Sequence, residues 1–149
     1  MERLKVLIFR VRDRYFALAS KNAKEIVDSS ENLKAIFYGG RGLKGLMNFE
    51  GEVVSVLNGP FILGIEEDGE YPVILLCKEK NMERAVGITV SEIKGMDVID
   101  TSKIAPLREK DAAYILGFIR EEDRGKERVV TLIDLKKFFD YADTKVERP

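Results

Sequence analysis

One stretch of the sequence decides the fold: Lys44-Gly45-Leu46-Met47-Asn48-Phe49-Glu50-Gly51-Glu52-Val53-Val54-Ser55-Val56-Leu57-Asn58. Its second half, Glu52 to Leu57, is rich in β-branched residues and predicts a strand. Gly45 and Gly51 flank the segment before it, where glycine can take a positive φ or let another backbone approach closely. The side chain of Asn48 can hydrogen-bond to its own backbone and hold a turn. The stretch therefore predicts a strand and a tight turn of the kind found in β-barrels.

Short strands of the same kind recur on both sides of this stretch. The polar pair Asp13-Arg14 separates the first two and predicts a hairpin. Short strands at this spacing predict an all-β barrel or sandwich. The predicted strands are Leu4 to Arg12, Tyr15 to Ala19, Val73 to Lys78, Arg84 to Val90, Ala113 to Ile119 and Arg128 to Ile133.

Helical signals are few. Ser20 to Val27 predicts a short helix, with Ser20 as its cap and Ala23 and Ile26 three residues apart on one face. Ser91-Glu92-Ile93 predicts a single turn after a strand. Asp134 to Asp143 predicts a terminal helix capped by Asp134. Residues 28 to 45 form a polar, glycine-rich connection.

Composition narrows the class of protein. The chain has 149 residues, of which 45% are hydrophobic and 34% charged, and this predicts one soluble globular domain over residues 1–149. A formal net charge of −1 supplies no basic field for nucleic acid and no cationic face for lipid. No signal peptide and no apolar run of membrane-spanning length is evident, so we expect a cytoplasmic protein without direct membrane insertion.

The inventory of reactive side chains is poor. The chain has no histidine, which excludes Ser-His-Asp and Cys-His catalysis, and its one cysteine, Cys77, lies in an apolar run that predicts a core position. The acidic stretches Glu66 to Glu70 and Glu121 to Gly125 predict solvated turns. We therefore expect no catalytic residue, no metal and no cofactor.

Two further patterns point to structure rather than to ligands. The glycine-rich run Gly39 to Gly45 resembles a phosphate-binding loop, but Lys44 precedes its last glycine and a strand follows, so a flexible connector is predicted. A nucleic-acid barrel would stack bases on exposed aromatic side chains. The aromatic residues here fall within apolar strands and predict core, as for Phe9, Phe16, Phe37 and Phe118.

Four segments, taken in order, resemble the CheW-like family of chemotaxis adaptors over residues 4–140. The first joins Val6-Leu7-Ile8-Phe9-Arg10-Val11, Tyr15-Phe16-Ala17-Leu18 and Glu25-Ile26-Val27. The second is the stretch from Lys44 to Asn58. The third joins Ala85-Val86-Gly87-Ile88-Thr89-Val90-Ser91-Glu92-Ile93 and Ile104-Ala105-Pro106. The fourth joins Ile115-Leu116-Gly117-Phe118 and Val129-Val130-Thr131-Leu132-Ile133-Asp134-Leu135-Lys136-Lys137-Phe138.

The resemblance implies two SH3-like five-stranded barrels, intertwined around a shared core, with short helices that include a C-terminal one. It also implies recognition rather than chemistry. One surface would meet the CheW-like regulatory domain of a CheA-type histidine kinase, and a groove between the barrels would meet the cytoplasmic tip of a methyl-accepting chemoreceptor. The groove would use Ser20, Ala23, Ile26 and Ile93, for which core packing is the alternative. The full set of implied interaction residues is Ser20, Ala23, Ile26, Val27, Asn48, Phe49, Glu50, Gly51 and Ile93.

Three positions depart from the family pattern. Glu50 stands where the family has arginine, and Asn58 and Ser91 each stand where it has aspartate. The changes fall on polar positions and spare the apolar ones. We therefore expect the fold to carry over and the partner contacts to be the part that changes.

Three functions remain open from the sequence. The first is an adaptor that couples chemoreceptors to the kinase. The second is a divergent module of the same fold, which binds in another signalling pathway or competes for the adaptor's position. The third is a small enzyme or nucleic-acid-binding barrel, which a convergent polar pocket would favour.

Overall fold

The computed structural model describes residues 2–35 and 40–146. Single 3₁₀ turns lie at Ser20–Asn22, Gly40–Gly42 and Thr101–Lys103. The strands and helices, in chain order, are β1 (Arg3–Val11), β2 (Arg14–Ala19), β3 (Ala23–Asp28), α1 (Ser29–Asn32), β4 (Leu43–Phe49), β5 (Glu52–Leu57), α2 (Gly59–Leu63), β6 (Val73–Cys77), β7 (Val86–Val90), β8 (Glu92–Asp100), β9 (Ile115–Asp123), β10 (Lys126–Ile133) and α3 (Leu135–Asp143).

The strands form two five-stranded sheets. The first sheet has the order β8-β1-β2-β10-β9, and the second has the order β3-β6-β7-β5-β4. This confirms the predicted all-β fold with two five-stranded units and few short helices. Each sheet has three antiparallel pairs of strands and one parallel pair. The parallel pair is β2 with β10 in the first sheet and β5 with β7 in the second.

The two halves of the chain repeat one order of elements. Each half supplies two strands, then a third strand with a helical turn, then a hairpin and a helix. The halves exchange their first two strands, because β1 and β2 pair with β8 and β10 while β6 and β7 pair with β3 and β5. Each sheet is therefore built from both halves of the chain.

The same local arrangement, a capped turn followed by an isolated β-bridge, occurs in both sheets. Asp28 caps the turn after β3 and Asp100 caps the turn after β8, each accepting the backbone N–H of a serine two residues later. The chain then bridges the far hairpin, Lys34 to Leu46 in the second sheet and Ala105 to Phe118 in the first. A glycine lies at each bridge, Gly45 and Gly117, because a Cβ there would collide with the carbonyl oxygen of the crossing strand.

Three apolar clusters hold the sheets together. One lies inside the first sheet, one lies inside the second, and the largest lies between them and is called the shared core here. Along β1, Val6 and Ile8 face the interior of the first sheet, whereas Leu7 and Phe9 face the shared core. Both faces of β1 are thus buried, which explains why its sequence is a continuous apolar run. The same holds for β6, where Ile74 and Leu76 alternate with Leu75 and Cys77.

Two predicted elements near the candidate site are wrong. Ser20 to Val27 is a single 3₁₀ turn followed by β3, because the backbone from Ala23 onward pairs with β6. Ser91 to Ile93 is no turn, since Glu92 begins the nine-residue strand β8. The turn predicted over Glu121 to Gly125 is shorter than expected, because Glu121 to Asp123 belong to β9 and only Arg124 and Gly125 form the turn.

Other predictions have different outcomes. The terminal helix is confirmed as α3, with the Asp134 side chain accepting from the Lys137 N–H. The connection over residues 28 to 45 contains α1, a 3₁₀ turn and the start of β4. Phe9 and Phe16 are buried as predicted, and Phe118 is half-buried. Phe37 and Gly39 lie outside the described residues.

We predict that neither half of the chain folds alone. Fragments 1–68 and 69–149 each contain strands of both sheets and complete neither sheet, so each leaves the shared core open to water. Circular dichroism should show no cooperative melting for either fragment and a cooperative transition for an equimolar mixture. The control is the intact chain with a protease site after Asp68, cleaved once folded, which should keep its transition. A cooperative transition in one isolated fragment would contradict the prediction.

Candidate protein-interaction site

The β4–β5 hairpin carries one part of the predicted site. Phe49 and Glu52 form its last pair, and the two turn residues have positive φ, 50° at Glu50 and 84° at Gly51. Such two-residue turns match the twist of the flanking strands. The Asn48 side-chain oxygen accepts a hydrogen bond of 3.2 Å from the Gly51 N–H, which is the predicted way of holding the turn. Glu50 is exposed at the tip.

Lysines surround the acidic tip of this hairpin. A shallow concavity of about 430 Å³ is lined by Phe49 and Glu50 from the hairpin, by Lys24 of β3, and by the segment Lys78-Glu79-Lys80 after β6. With three lysines and two glutamates, its lining carries a net charge of +1. The aromatic ring of Phe49 packs against the core inside the second sheet, so it anchors the turn. The charge reversal at Glu50 is therefore embedded in a cationic surrounding.

Strand β3 carries the second part of the predicted site. Ile26 pairs with Leu75, which is fully buried, yet the Ile26 side chain is 49% exposed. The shared core covers Leu75 of β6 but does not cover Ile26 beside it on β3. Ile26 therefore lies on the face of the shared core, at its edge, and is exposed to solvent. Val27 lies on the other face and packs into the interior of the second sheet. Ala23 packs against the shared core.

The remaining predicted residues have mixed positions. Ile93, near the start of β8, pairs with Phe9 and packs against the shared core. Ala23 and Ile93 thus contact the same cluster, as a groove between the sheets would require. Ser20 is half-buried in the 3₁₀ turn before β3. Of the predicted groove residues, Ile26 alone presents a large apolar side chain that is about half exposed.

Two exposed apolar residues on β8 were missed from the sequence. Met96 is 56% exposed and Val98 is 53% exposed. Their spacing of two, with Asp97 between them, is the alternation expected of a half-exposed strand. This alternation was not recognised as a strand because a turn was predicted at Ser91 to Ile93, where β8 begins.

Two of the three departures from the family pattern have structural roles. The Asn58 side chain is buried and caps α2, accepting a hydrogen bond from the Phe61 N–H. The Ser91 hydroxyl accepts a bond of 2.8 Å from the N–H of Arg12, which has a positive φ in the β1–β2 turn. A neutral oxygen acceptor serves at both places. Glu50 is the departure that faces solvent.

Charged groups beside the shared core are paired within the protein. The Arg10 guanidinium donates to the Glu92 carboxylate at 3.1 and 3.2 Å, and this lowers the pKa of Glu92. Arg12 makes a two-point contact with Asp68, at 3.0 Å from each of two nitrogens, on the loop between α2 and β6. Complete burial raises the pKa of the Cys77 thiol, which keeps it protonated and unreactive.

Other kinds of site are poorly supported in the described part of the chain. In residues 2–35 and 40–146, no three acidic or cysteine side chains are grouped so that they could hold a metal ion. Over the same residues no helix is long and apolar enough to cross a membrane.

Two five-stranded sheets with a shared core place the chain in the class of small β proteins built from two paired barrels. A family model for the CheW-like domain matches residues 5–143, and the chain belongs to this family. Its fold is similar to the scaffolding protein TtCheW from Thermoanaerobacter tengcongensis, with a TM-score of 0.76 and 19% sequence identity. That similarity covers 93% of this chain and 89% of TtCheW. No curated protein sequence matches the chain.

We predict that Asn58→Ala lowers stability by about 1 kcal/mol, because the first turn of α2 loses its side-chain cap. Chemical denaturation should show a lower midpoint with an unchanged slope. Ser55→Ala, on the exposed face of β5, is the matched control and should leave the midpoint nearly unchanged. Equal midpoints for Asn58→Ala and wild type would show that the cap contributes nothing.

Proposed function

We propose that this protein is a non-catalytic cytoplasmic adaptor, which couples methyl-accepting chemoreceptors to a CheA-type histidine kinase. Membership of the CheW-like family and the likeness to a scaffolding protein support a scaffold in chemotaxis. The poor inventory of reactive groups agrees with a role in binding. Receptor and kinase would then be held together through separate surfaces of one rigid module.

The observation that carries the proposal is the uncovered edge at β3. Ile26 is an exposed β-branched side chain paired with the fully buried Leu75, and Ala23 and Ile93 pack against the shared core. An apolar residue held rigidly at such an edge can serve as an anchor for a helical partner. We assign this edge to the receptor tip.

The hairpin tip at Asn48 to Gly51 is assigned to the regulatory domain of the kinase. The tip is rigid, because Asn48 ties the turn and Phe49 is anchored in the second sheet. Charge at a rigid exposed tip selects partners more than it changes stability. Glu50 would therefore set which kinase is accepted.

A second candidate function rests on Glu50 alone. A module with reversed charge at this tip could bind in another signalling pathway, or compete with a standard adaptor for its position. The lysines around Glu50 favour a partner surface that differs from the one the family's arginine would meet.

We predict that Ile26→Asp abolishes binding of a receptor tip fragment and leaves folding nearly intact. A carboxylate at a desolvated contact is costly in the complex, whereas at the exposed edge of the free protein it stays hydrated. Binding should be measured by titration calorimetry and folding by thermal melting. Val129→Asp, an equally exposed apolar residue on β10, is the control and should bind as wild type does. Normal binding by Ile26→Asp would remove the support for the receptor edge.

Glu50→Arg separates the two candidate functions. Both side chains must take the same positive φ, so backbone strain is unchanged, and a fourth cation beside three lysines should lower the melting temperature only slightly, at low salt. An adaptor matched to its own kinase should lose affinity for it on this substitution. A divergent competitor should instead gain affinity for a standard kinase domain. Titrations against both kinase domains at two salt concentrations measure this, and equal affinities throughout would place Glu50 outside any interface.

A further inference from the structure

Strand pairing holds the two halves of the chain together. Among residues 2–35 and 40–146, four of the eight strand pairs join the first half to the second, namely β1 with β8, β2 with β10, β3 with β6 and β5 with β7. The shared core also takes side chains from both halves. Each half therefore needs a complementary half, and the same contacts can be made to the complementary half of a second copy.

One segment, residues 64–72, links α2 of the first half to β6 of the second. Both ends of this segment are fixed to the fold. The Ile65 N–H donates to the Pro60 carbonyl oxygen at 2.8 Å, and the Ser29 N–H donates to the Pro72 carbonyl oxygen at 2.9 Å. The residues between these two points can change course without disturbing either end.

Residues 66–70, called the hinge here, are acidic and largely exposed. Their sequence is Glu66-Glu67-Asp68-Gly69-Glu70, which contains no apolar side chain. Opening the hinge therefore takes no hydrophobic side chain out of the shared core. Four like charges within five residues repel one another and favour an extended course.

Weak contacts and one glycine keep the hinge closed. Arg12 makes its two-point contact with Asp68, and the Arg41 guanidinium lies 2.6 Å from the Glu67 carboxylate. Ion pairs between exposed side chains contribute little to stability. Gly69 has a φ of 101°, which side chains other than glycine rarely adopt. The closed course of the hinge thus has little holding it beyond the pairing of the two halves.

We propose that a second copy of this chain is a binding partner, through a strand-exchanged dimer in which the hinge is open. The first half of each copy completes both sheets with the second half of the other copy. The dimer therefore contains two complete modules joined by two hinges. This inference goes beyond the proposed function, and its test involves neither receptor nor kinase.

Protein concentration during folding decides which form is made. A short link gives the two halves of one chain an effective concentration in the millimolar range, so folding in dilute solution favours the monomer. Because neither half is expected to fold alone, exchange between folded copies requires unfolding. A dimer made during folding at high concentration should therefore persist when the protein is diluted.

The test begins by refolding the protein from guanidinium chloride at about 1 μM and at about 1 mM, which lie below and near the effective concentration of the link. Size-exclusion chromatography with light scattering then separates monomer from dimer. The dimer fraction should rise several-fold at the higher concentration and should remain after dilution. Absence of a dimer at both concentrations would overturn the proposal.

A double-cysteine variant, Lys5→Cys with Val98→Cys, shows which copy completes the first sheet. The two residues are directly opposite each other on β1 and β8, within reach of a disulfide, and they belong to different halves. Cys77 is buried and does not compete. After oxidation of the folded fractions, the dimer should run on a denaturing gel as two covalently linked chains, and the monomer as one.

Glu122→Cys with Glu127→Cys is the matched control. These exposed residues are also directly opposite each other, on β9 and β10, but both belong to the second half. Their disulfide stays within one chain in either form, so the oxidised dimer should run as single chains. A dimer that gave single chains with both double variants would be joined through its outer surfaces, and the proposal would be wrong.

Gly69→Ala tests the hinge directly. Alanine is strained at a φ of 101° in the closed hinge, and the open hinge relieves that strain, so the dimer fraction should rise several-fold. Gly125→Ala is the matched control, because Gly125 has a φ of 79° in the β9–β10 turn, which both forms share. An added Cβ meets nothing within 4 Å at either glycine. Equal dimer fractions for the two variants would show that the hinge does not control the exchange, against the proposal.

Discussion

Packing between β1–β2 of one sheet and β6–β7 of the other is the constraint on which the rest of the structure depends. Strands β1, β2 and β6 place apolar side chains both inside their own sheet and in the shared core, and β7 adds Ile88 and Val90 to the shared core. Such burial needs uninterrupted apolar runs, which the chain provides from Val6 to Phe9 and from Ile74 to Cys77. The strand exchange follows, because each pair is held between partners from the other half of the chain.

The proposed partner surfaces lie at the margins of this core. The two sheets cover each other at their central strands and cover β3 and β8 only in part, at Ala23 and Ile93, so other side chains on the same faces reach water. Ile26, Met96 and Val98 are exposed for this one reason. The hairpin tip at Glu50 is exposed for a different reason. The chain reverses there in a two-residue turn, whose backbone geometry is fixed while the Glu50 side chain faces solvent. The proposed recognition residues are thus ones that the core holds in place without enclosing them.

Sequence patterns predict the parts of the fold whose signals are local. The continuous apolar runs, the Asn48–Gly51 turn and the Asp134 cap each depend on neighbouring residues, and each is found where the pattern placed it. Strands β3 and β8 were misassigned because half-exposed edge strands carry polar residues on both faces. In β3, Ala23 and Ile26 are three residues apart, which is the spacing expected on one face of a helix. They lie on one face of a strand here because the register shifts between Ala23 and Glu25, and the sequence gives no sign of that shift. The internal repeat is equally hard to find in the sequence. The two halves share few residues beyond the capping aspartates and the glycines at the crossings.

Strand exchange also determines when the chain can fold during synthesis. Tyr15 pairs with Val130 and Arg3 pairs with Asp100, so the first hairpin has no neighbours until most of the chain has been made. Contacts this distant in sequence are slow to form, because a long loop must close before they stabilise anything. Until β8 and β10 have been made, the run Val6-Leu7-Ile8-Phe9 lacks the strands that complete its sheet. The first sheet is complete only after β10 has been synthesised, and an apolar run left uncovered until then is the kind of segment that chaperones bind.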